Sequence, residues 1–373
     1  MSETQDETGM AQAPQPADFD RITSLVSKEF QVEETLVESN IPTYCLKQLQ
    51  ETKQPFLRLL ENLKPMGFTA FLRRRDGRTV LKVVSKPLTK PGNILVNWLL
   101  FLATIATTFV TGYMLSGDML DPLVGGAAFT IAIMTVLGAH EMGHKLTANR
   151  KGIEATPPYF IPGPPPVGGL LGIGTFGAVI MQKSLPPNRD ALFDVGASGP
   201  IIGFVLASVA SVVGLLMSPV HEITQPDMSF LPSPLFFDLF ITYVTNLPNN
   251  YYIQLHPIAF AGWVGMIVTM LNLLPAAMLD GGHVARSLIG ERARLVLTVL
   301  SFALLVVAGF IPMAIFVLFL SMYRHPGPLD DVSPLSKSRK ILTVGLVAIF
   351  FLCSYLHYYI LYLLQVLMKL FGI

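Results

Sequence analysis

Charge is scarce in this sequence. Only 14% of its 373 residues are Asp, Glu, Lys or Arg, against about 25% in soluble globular proteins. Hydrophobic residues make up 51%, and the mean hydropathy is +0.54. Too little polar surface is available to cover such a chain in water, which implies an integral membrane protein held in a lipid bilayer. The net charge of +1 argues against a nucleic-acid partner, which would call for a basic face. There are only two cysteines, Cys45 and Cys353, so neither a disulfide framework nor a cysteine-ligated zinc is expected. Residues 1–17 lack large apolar residues and are rich in acid, Gln and Pro; they are expected to be a disordered tail and not a secretory signal peptide. No internal repeat of fixed period is evident.

Residues 18–90 carry the pattern of a small soluble α+β accessory domain. Ile22, Leu25, Val26 and Phe30 recur at helical spacing, and 30–46 is extended in character with a break near Asn40-Ile41-Pro42. Phe56, Leu57, Leu60 and Leu63 mark a second helix closed by Pro65 and Gly67. Two strand-like runs, 68–72 and 80–84, then flank Asp76-Gly77, a two-residue hairpin signal. Helix, two strands, helix, two strands is the expected order.

From 91 to 373 the sequence predicts an α-helical polytopic membrane domain of six or seven spans, whose loops can be sorted by positive charge. Spans are expected at 97–115, 123–148, 191–217, 258–278 and 341–368. The run 295–323, interrupted at Gly309 and Pro312, is expected to form a hairpin of two short helices, giving seven crossings. Read as a single span it gives six. The loop 218–256 contains no Lys or Arg, whereas Lys145, Arg150, Lys151, Lys183 and Arg189 cluster around the end of the second span and the start of the third. This places the N-terminus in the cytoplasm and the C-terminus outside. Two stretches fit neither span nor loop. Residues 157–182 are apolar but rich in Pro and Gly, which suggests a re-entrant or strand-like element with its extended piece at Phe176–Met181. Residues 235–244 are too short to span and are expected on the outer face.

The motif His140-Glu141-Met142-Gly143-His144 lies at the cytoplasmic end of the second span. Histidines four residues apart share one helix face, where two imidazoles can bind one zinc ion, and Glu141 is placed to take a proton from a metal-activated water. Such a pattern also arises by chance, but inside a membrane helix its polar groups are costly unless they meet protein, water or metal. A catalytic zinc needs a third protein ligand and one open position. Asp280, just after apolar Met278-Leu279 and expected at the end of the 258–278 helix, is the candidate. The alternative for Asp280 is a helix-end carboxylate in water, and His283 is a rival ligand. A divalent-metal transporter would also carry His and acidic residues in its spans, but would need them along the whole path. A catalytically inactive scaffold would lack the Glu or a ligand.

The sequence resembles the site-2 protease family of intramembrane zinc metalloproteases. The likeness rests on HEMGH, on the N-x-x-P…L-D-G element from Asn272 to Gly281, and on the third-span glycines Gly196, Gly199 and Gly203. It covers roughly residues 97–286 and is similar, at 166–190 and Pro326-Gly327-Pro328, to the prokaryotic and plastid branch. No stretch resembles the PDZ domain that many bacterial members carry. The resemblance implies that His140, His144 and Asp280 hold Zn2+, and that Glu141 is the general base and then passes the proton to the leaving amine. It further implies that Asn272 donates to the oxyanion, holds a substrate strand or packs between helices, and that the glycines allow close helix packing. The implied substrate is a single-span membrane protein with helix breakers near the cut, paired in extended form along 176–181.

Overall fold

The computed structural model describes residues 16–48, 50–87, 93–167, 172–223, 231–245, 250–358 and 368; the expected tail at 1–17 lies almost wholly outside them, as does most of the last span beyond 358. The fold is mostly helical, with small sheets, and divides into two compact units.

The first unit contains helix α1 (Pro16–Glu29), strands β1 (Val32–Glu38) and β2 (Ile41–Leu46), helix α2 (Lys53–Leu63), and strands β3 (Phe68–Arg75) and β4 (Arg78–Ser85). This is the order expected from the sequence. The strands form one antiparallel sheet in the order β1-β2-β4-β3. Asp76 and Gly77 both have positive φ (51° and 79°), as do Ser39 and Asn40 (51° and 63°), so both hairpins turn through the two-residue geometry that matches strand twist. The helices cover the sheet through Ile22, Val26, Phe56, Leu59 and Leu63, which pack with Tyr44, Leu46, Leu72 and Leu81. Two later segments, Leu185–Leu192 and Pro326–Leu335, also belong to this unit. Edge residue Leu72 donates its N–H to the Leu329 carbonyl at 2.9 Å and accepts from Asp331 N–H at 3.1 Å. Lys53 pairs with Asp190 at 3.1 Å, and Arg189 with Asp331 at 3.2 Å.

The second unit holds helices α3 (Ile94–Leu115), α4 (Pro122–Arg150) and most of α5 (Arg189–Leu216), each long and apolar enough to cross a membrane. Between α4 and α5 lies an antiparallel hairpin, β5 (Tyr159–Pro162) and β6 (Thr175–Val179), in the stretch read as strand-like. Strands β7 (Val220–Glu222) and β8 (Tyr251–Ile253) pair after α5, with the short helix α6 (Leu235–Phe240) between them. Then come α7 (Pro257–Leu273), α8 (Asp280–Val307), α9 (Ile311–Ser321) and α10 (Lys337–Cys353). On α4, Phe129, Ile133 and Leu137 pack against Phe260, Ala261 and Val264 of α7. At one end of the unit Asp194 of α5 pairs with Lys151, just past α4, at 2.8 Å and with Arg339 of α10 at 2.7 Å.

Two boundaries correct the sequence reading. The helix expected over 341–368 ends at Cys353, where Ser354 turns extended (φ −93°, ψ 161°). The helix expected over 258–278 stops at Leu273, and Asp280 opens the next helix instead of closing this one. Pro275 is the cause: it has no N–H to continue the helical ladder, and it pushes Leu274 into an extended conformation (φ −56°, ψ 130°). The link 274–279 then turns so tightly that a Cβ on Gly281 would stand 2.1 Å from the Leu273 carbonyl oxygen. The apolar run 295–323 does divide into two helices, with Gly309 (φ 80°) in the turn between α8 and α9.

Candidate metal centre

His140 and His144 lie on one face of α4, and both are buried. Their Nε2 atoms are 3.1 Å apart. Asp280, at the first turn of α8, brings its Oδ2 to 3.2 Å from His140 Nε2 and 3.3 Å from His144 Nε2. Three ligand atoms from two helices thus form a nearly equilateral triangle. A tetrahedral zinc with bonds of about 2.0–2.1 Å has ligand–ligand edges of about 3.3 Å, so the triangle has the size of one face of such a site. The orientation of the His144 ring supports the same conclusion. Its Nδ1–H donates to the Val195 carbonyl at 2.7 Å, which turns Nε2 into the triangle. Facing a carboxylate oxygen and a second imidazole nitrogen, that Nε2 needs a cation between them, which a bound metal ion or a proton supplies. The donor set fits zinc, with a fourth position left for a non-protein ligand.

Glu141 is also buried, and its carboxylate lies within 4.8 Å of both imidazoles, so by distance alone it is a second candidate ligand. It is placed differently from Asp280, near the backbone N–H of Ile180, immediately after β6. Of the remaining candidates, His283 turns its Nδ1 to His325 Nε2 at 2.7 Å. Asn272 sits in the last turn of α7, half-buried, with no side-chain hydrogen bond among the described residues.

The α5 glycines do more than the packing role the sequence suggested. A Cβ on Gly199 would stand 2.1 Å from His144 Nε2, and one on Gly203 would stand 2.7 Å from His140 Nδ1. The histidines ascend along α4 as the glycines descend along α5, so two antiparallel helices meet with a four-residue step on each. At the third glycine, Gly196, a Cβ would stand 2.9 Å from both the Asp280 carbonyl oxygen and the His283 Cβ. The matching four-residue spacing of 140/144 and 199/203 was present in the sequence as a signal for this arrangement. The Val195 carbonyl and the Ile180 N–H, being backbone groups, left no such trace.

The profile of peptidase family M50 matches residues 128–316, just over half of the chain and a range containing His140, Glu141, His144, the three glycines and Asp280. The chain belongs to peptidase family M50. It is similar to the probable chloroplastic zinc metalloprotease EGY1 of Arabidopsis thaliana, with 29% identity over 245 residues that cover 62% of this chain and 43% of that protein. The corresponding EGY1 of Oryza sativa subsp. japonica is 31% identical over 248 residues, covering 62% and 42%. The probable zinc metallopeptidase EGY3 of Arabidopsis thaliana is 26% identical over 272 residues, covering 64% and 45%. The M50 chain described here therefore spans less than half the length of these relatives. No solved structure matches it.

Proposed function

We propose that this M50 chain is a membrane-embedded zinc endopeptidase that cuts peptide bonds within or beside the membrane segment of a single-span protein. The observation that carries the reading is the triangle of His140, His144 and Asp280, with the buried Glu141 carboxylate beside it. His140, His144 and Asp280 would hold the ion, which supplies Lewis acidity toward a water and the scissile carbonyl. Glu141 takes the proton of the attacking water and delivers it to the departing amine. That carboxylate stands near Ile180 N–H, beside the end of β6. Among the described residues β6 pairs along its length only with β5, so its other edge can take an extended substrate as an added strand. Asn272, at the end of α7, is assigned to the substrate strand or the oxyanion.

Seven crossings, with the N-terminus and the metal centre on the cytoplasmic side and the C-terminus outside, complete the proposal; with 295–323 as a single span, six crossings would return the C-terminus to the cytoplasm. In support, α3 and α5 leave apolar side chains such as Leu99, Leu102, Val205 and Val209 more than half exposed, as helices facing lipid do. A substrate helix must unwind to be cut, and in lipid each bared backbone group costs several kcal/mol, so substrates carry helix breakers near the cut. The 18–90 domain, with no catalytic group assigned to it, serves as an accessory module. The test is zinc content of the purified protein measured beside cleavage of a single-span membrane protein in the same detergent. A zinc-free protein, or a zinc-loaded one that cuts no single-span protein carrying helix breakers, would overturn the reading.

A further inference from the structure

The link that delivers Asp280 is held by side chains outside the metal centre. Ala277, in the middle of that link, has φ of +45°, a left-handed conformation that a residue with a Cβ disfavours. Both of its backbone polar groups are bound by the second half of α8. Ala277 N–H donates to Thr298 Oγ1 at 3.0 Å, and Arg294 Nη1 donates to the Ala277 carbonyl at 2.8 Å. The two side chains are themselves joined, because Thr298 Oγ1 donates to the Arg294 carbonyl at 2.9 Å. Arg294 is only 2% exposed. Its Nε and Nη2 donate to the two oxygens of Glu291 at 2.9 and 2.7 Å, and Arg286 pairs with the same carboxylate at 3.2 Å. Gly290 (φ 83°, ψ −177°) breaks α8 between the half that starts at Asp280 and the half that carries Arg294.

We propose that Arg294, together with Thr298, is a positioning residue for the metal centre: by fixing Ala277 in its left-handed conformation it sets where Asp280 presents its carboxylate to His140 and His144. Only Met278 and Leu279 separate Ala277 from Asp280, and Leu279 N–H closes a turn on the Ala276 carbonyl at 3.0 Å. A change of backbone conformation at Ala277 therefore swings the start of α8. The loss of either bond also leaves a buried backbone group unmet, which favours that change. Glu291 keeps the guanidinium aimed, as a lysine could not, because the two-pronged contact needs a planar fork.

The inference rests on Asp280 being a zinc ligand, and the experiment separates the two ideas. Zinc affinity is measured by chelator competition in detergent for the wild type, Asp280→Asn, Arg294→Lys and Thr298→Val, and for Asp280→Asn combined with each of the other two. Arg294→Lys and Thr298→Val should each weaken zinc by about 10- to 100-fold, the usual effect of losing a group that orients a ligand. In the Asp280→Asn background they should weaken it no further, since the carboxylate they place is gone. Unchanged zinc affinity in Asp280→Asn would overturn the ligand assignment and this inference with it. If Asp280→Asn weakens zinc but Thr298→Val binds as wild type, or its loss adds in full to that of Asp280→Asn, the positioning role is overturned and the ligand stands. Should Arg294→Lys not fold, Thr298→Val, which preserves side-chain shape, decides the matter alone.

Discussion

Two carboxylates flank the same pair of imidazoles, and the geometry separates what each can do. Asp280 closes a triangle with edges of 3.1–3.3 Å, while Glu141 stands beside it, near Ile180 N–H. Glu141→Gln keeps size and polarity but removes the base. Zinc should stay bound as in the wild type while cleavage falls by at least the ~10²–10⁴-fold that general acid–base catalysis supplies. Asp280→Ala should instead lose zinc, and activity with it. Metal analysis and cleavage of both variants in one detergent check the pair, and full cleavage by Glu141→Gln would refute the mechanism. The seats of the rings give a second expectation. Gly199→Ala drives a Cβ into the His144 ring and should lower zinc occupancy. Gly138→Ala on α4 meets nothing nearer than Phe160 at 3.5 Å and should leave occupancy unchanged. Equal occupancy in the two variants would remove the glycines from the site. At this scale the side chains His140, Glu141, His144 and Asp280 were legible because polar groups in apolar runs stand out. The backbone donors and acceptors that orient them carry no residue-type signature.

Elements were legible wherever a single physical rule dominated. Asp76-Gly77 announced its hairpin, and the Gly309 break announced the division between α8 and α9. The end of α7 was misread because apolar residues continue past Leu273, while Pro275 acts backward on its predecessor and ends the helix early. The fold-back that brings Arg294 to Ala277 was also hidden, since nothing local to Gly290 distinguishes a kink from a tolerated helical glycine. At its other end α7 is capped by the buried His256, whose Nδ1 accepts from Ile258 N–H at 3.2 Å. Only the neutral ring can accept there. Burial holds this imidazole below its ordinary value of about 6.5, so over a window starting there and running downward the unfolded chain binds a proton that the folded chain refuses. The stabilisation is complete above that value and is lost as pH falls through the folded value. His256→Asn supplies a cap that does not titrate, so its melting temperature should fall less than that of the wild type between pH 7.5 and 5, both buffers chosen for the test. Parallel melting curves would show that the cap does not titrate in this window.

For the whole molecule, sidedness can be argued from two independent sources. The first is composition, since 218–256 contains no Lys or Arg. The second is geometry: Asp194 ties the end of α4 to the start of α5 and the start of α10, so these three termini share one end of their unit whatever the charge rule says. The HEMGH motif ends α4, and Asp280 follows the far end of α7 from His256, which puts the metal centre toward that same end. If this end is cytoplasmic, Lys337 at the start of α10 faces the cytoplasm and Glu222 in β7, beyond the other end of α5, faces outward. Both are exposed. With Cys45 and Cys353 replaced by alanine, Glu222→Cys should therefore react with a membrane-impermeant maleimide in intact cells, and Lys337→Cys only after permeabilisation. Labelling of both in intact cells would break the shared-end argument, because the crossing of α5 separates the end that holds Lys337 from the end that holds Glu222. The reversed pattern would leave the fold intact but turn it over in the membrane, carrying His140, His144, Asp280 and the point of cleavage to the outer side.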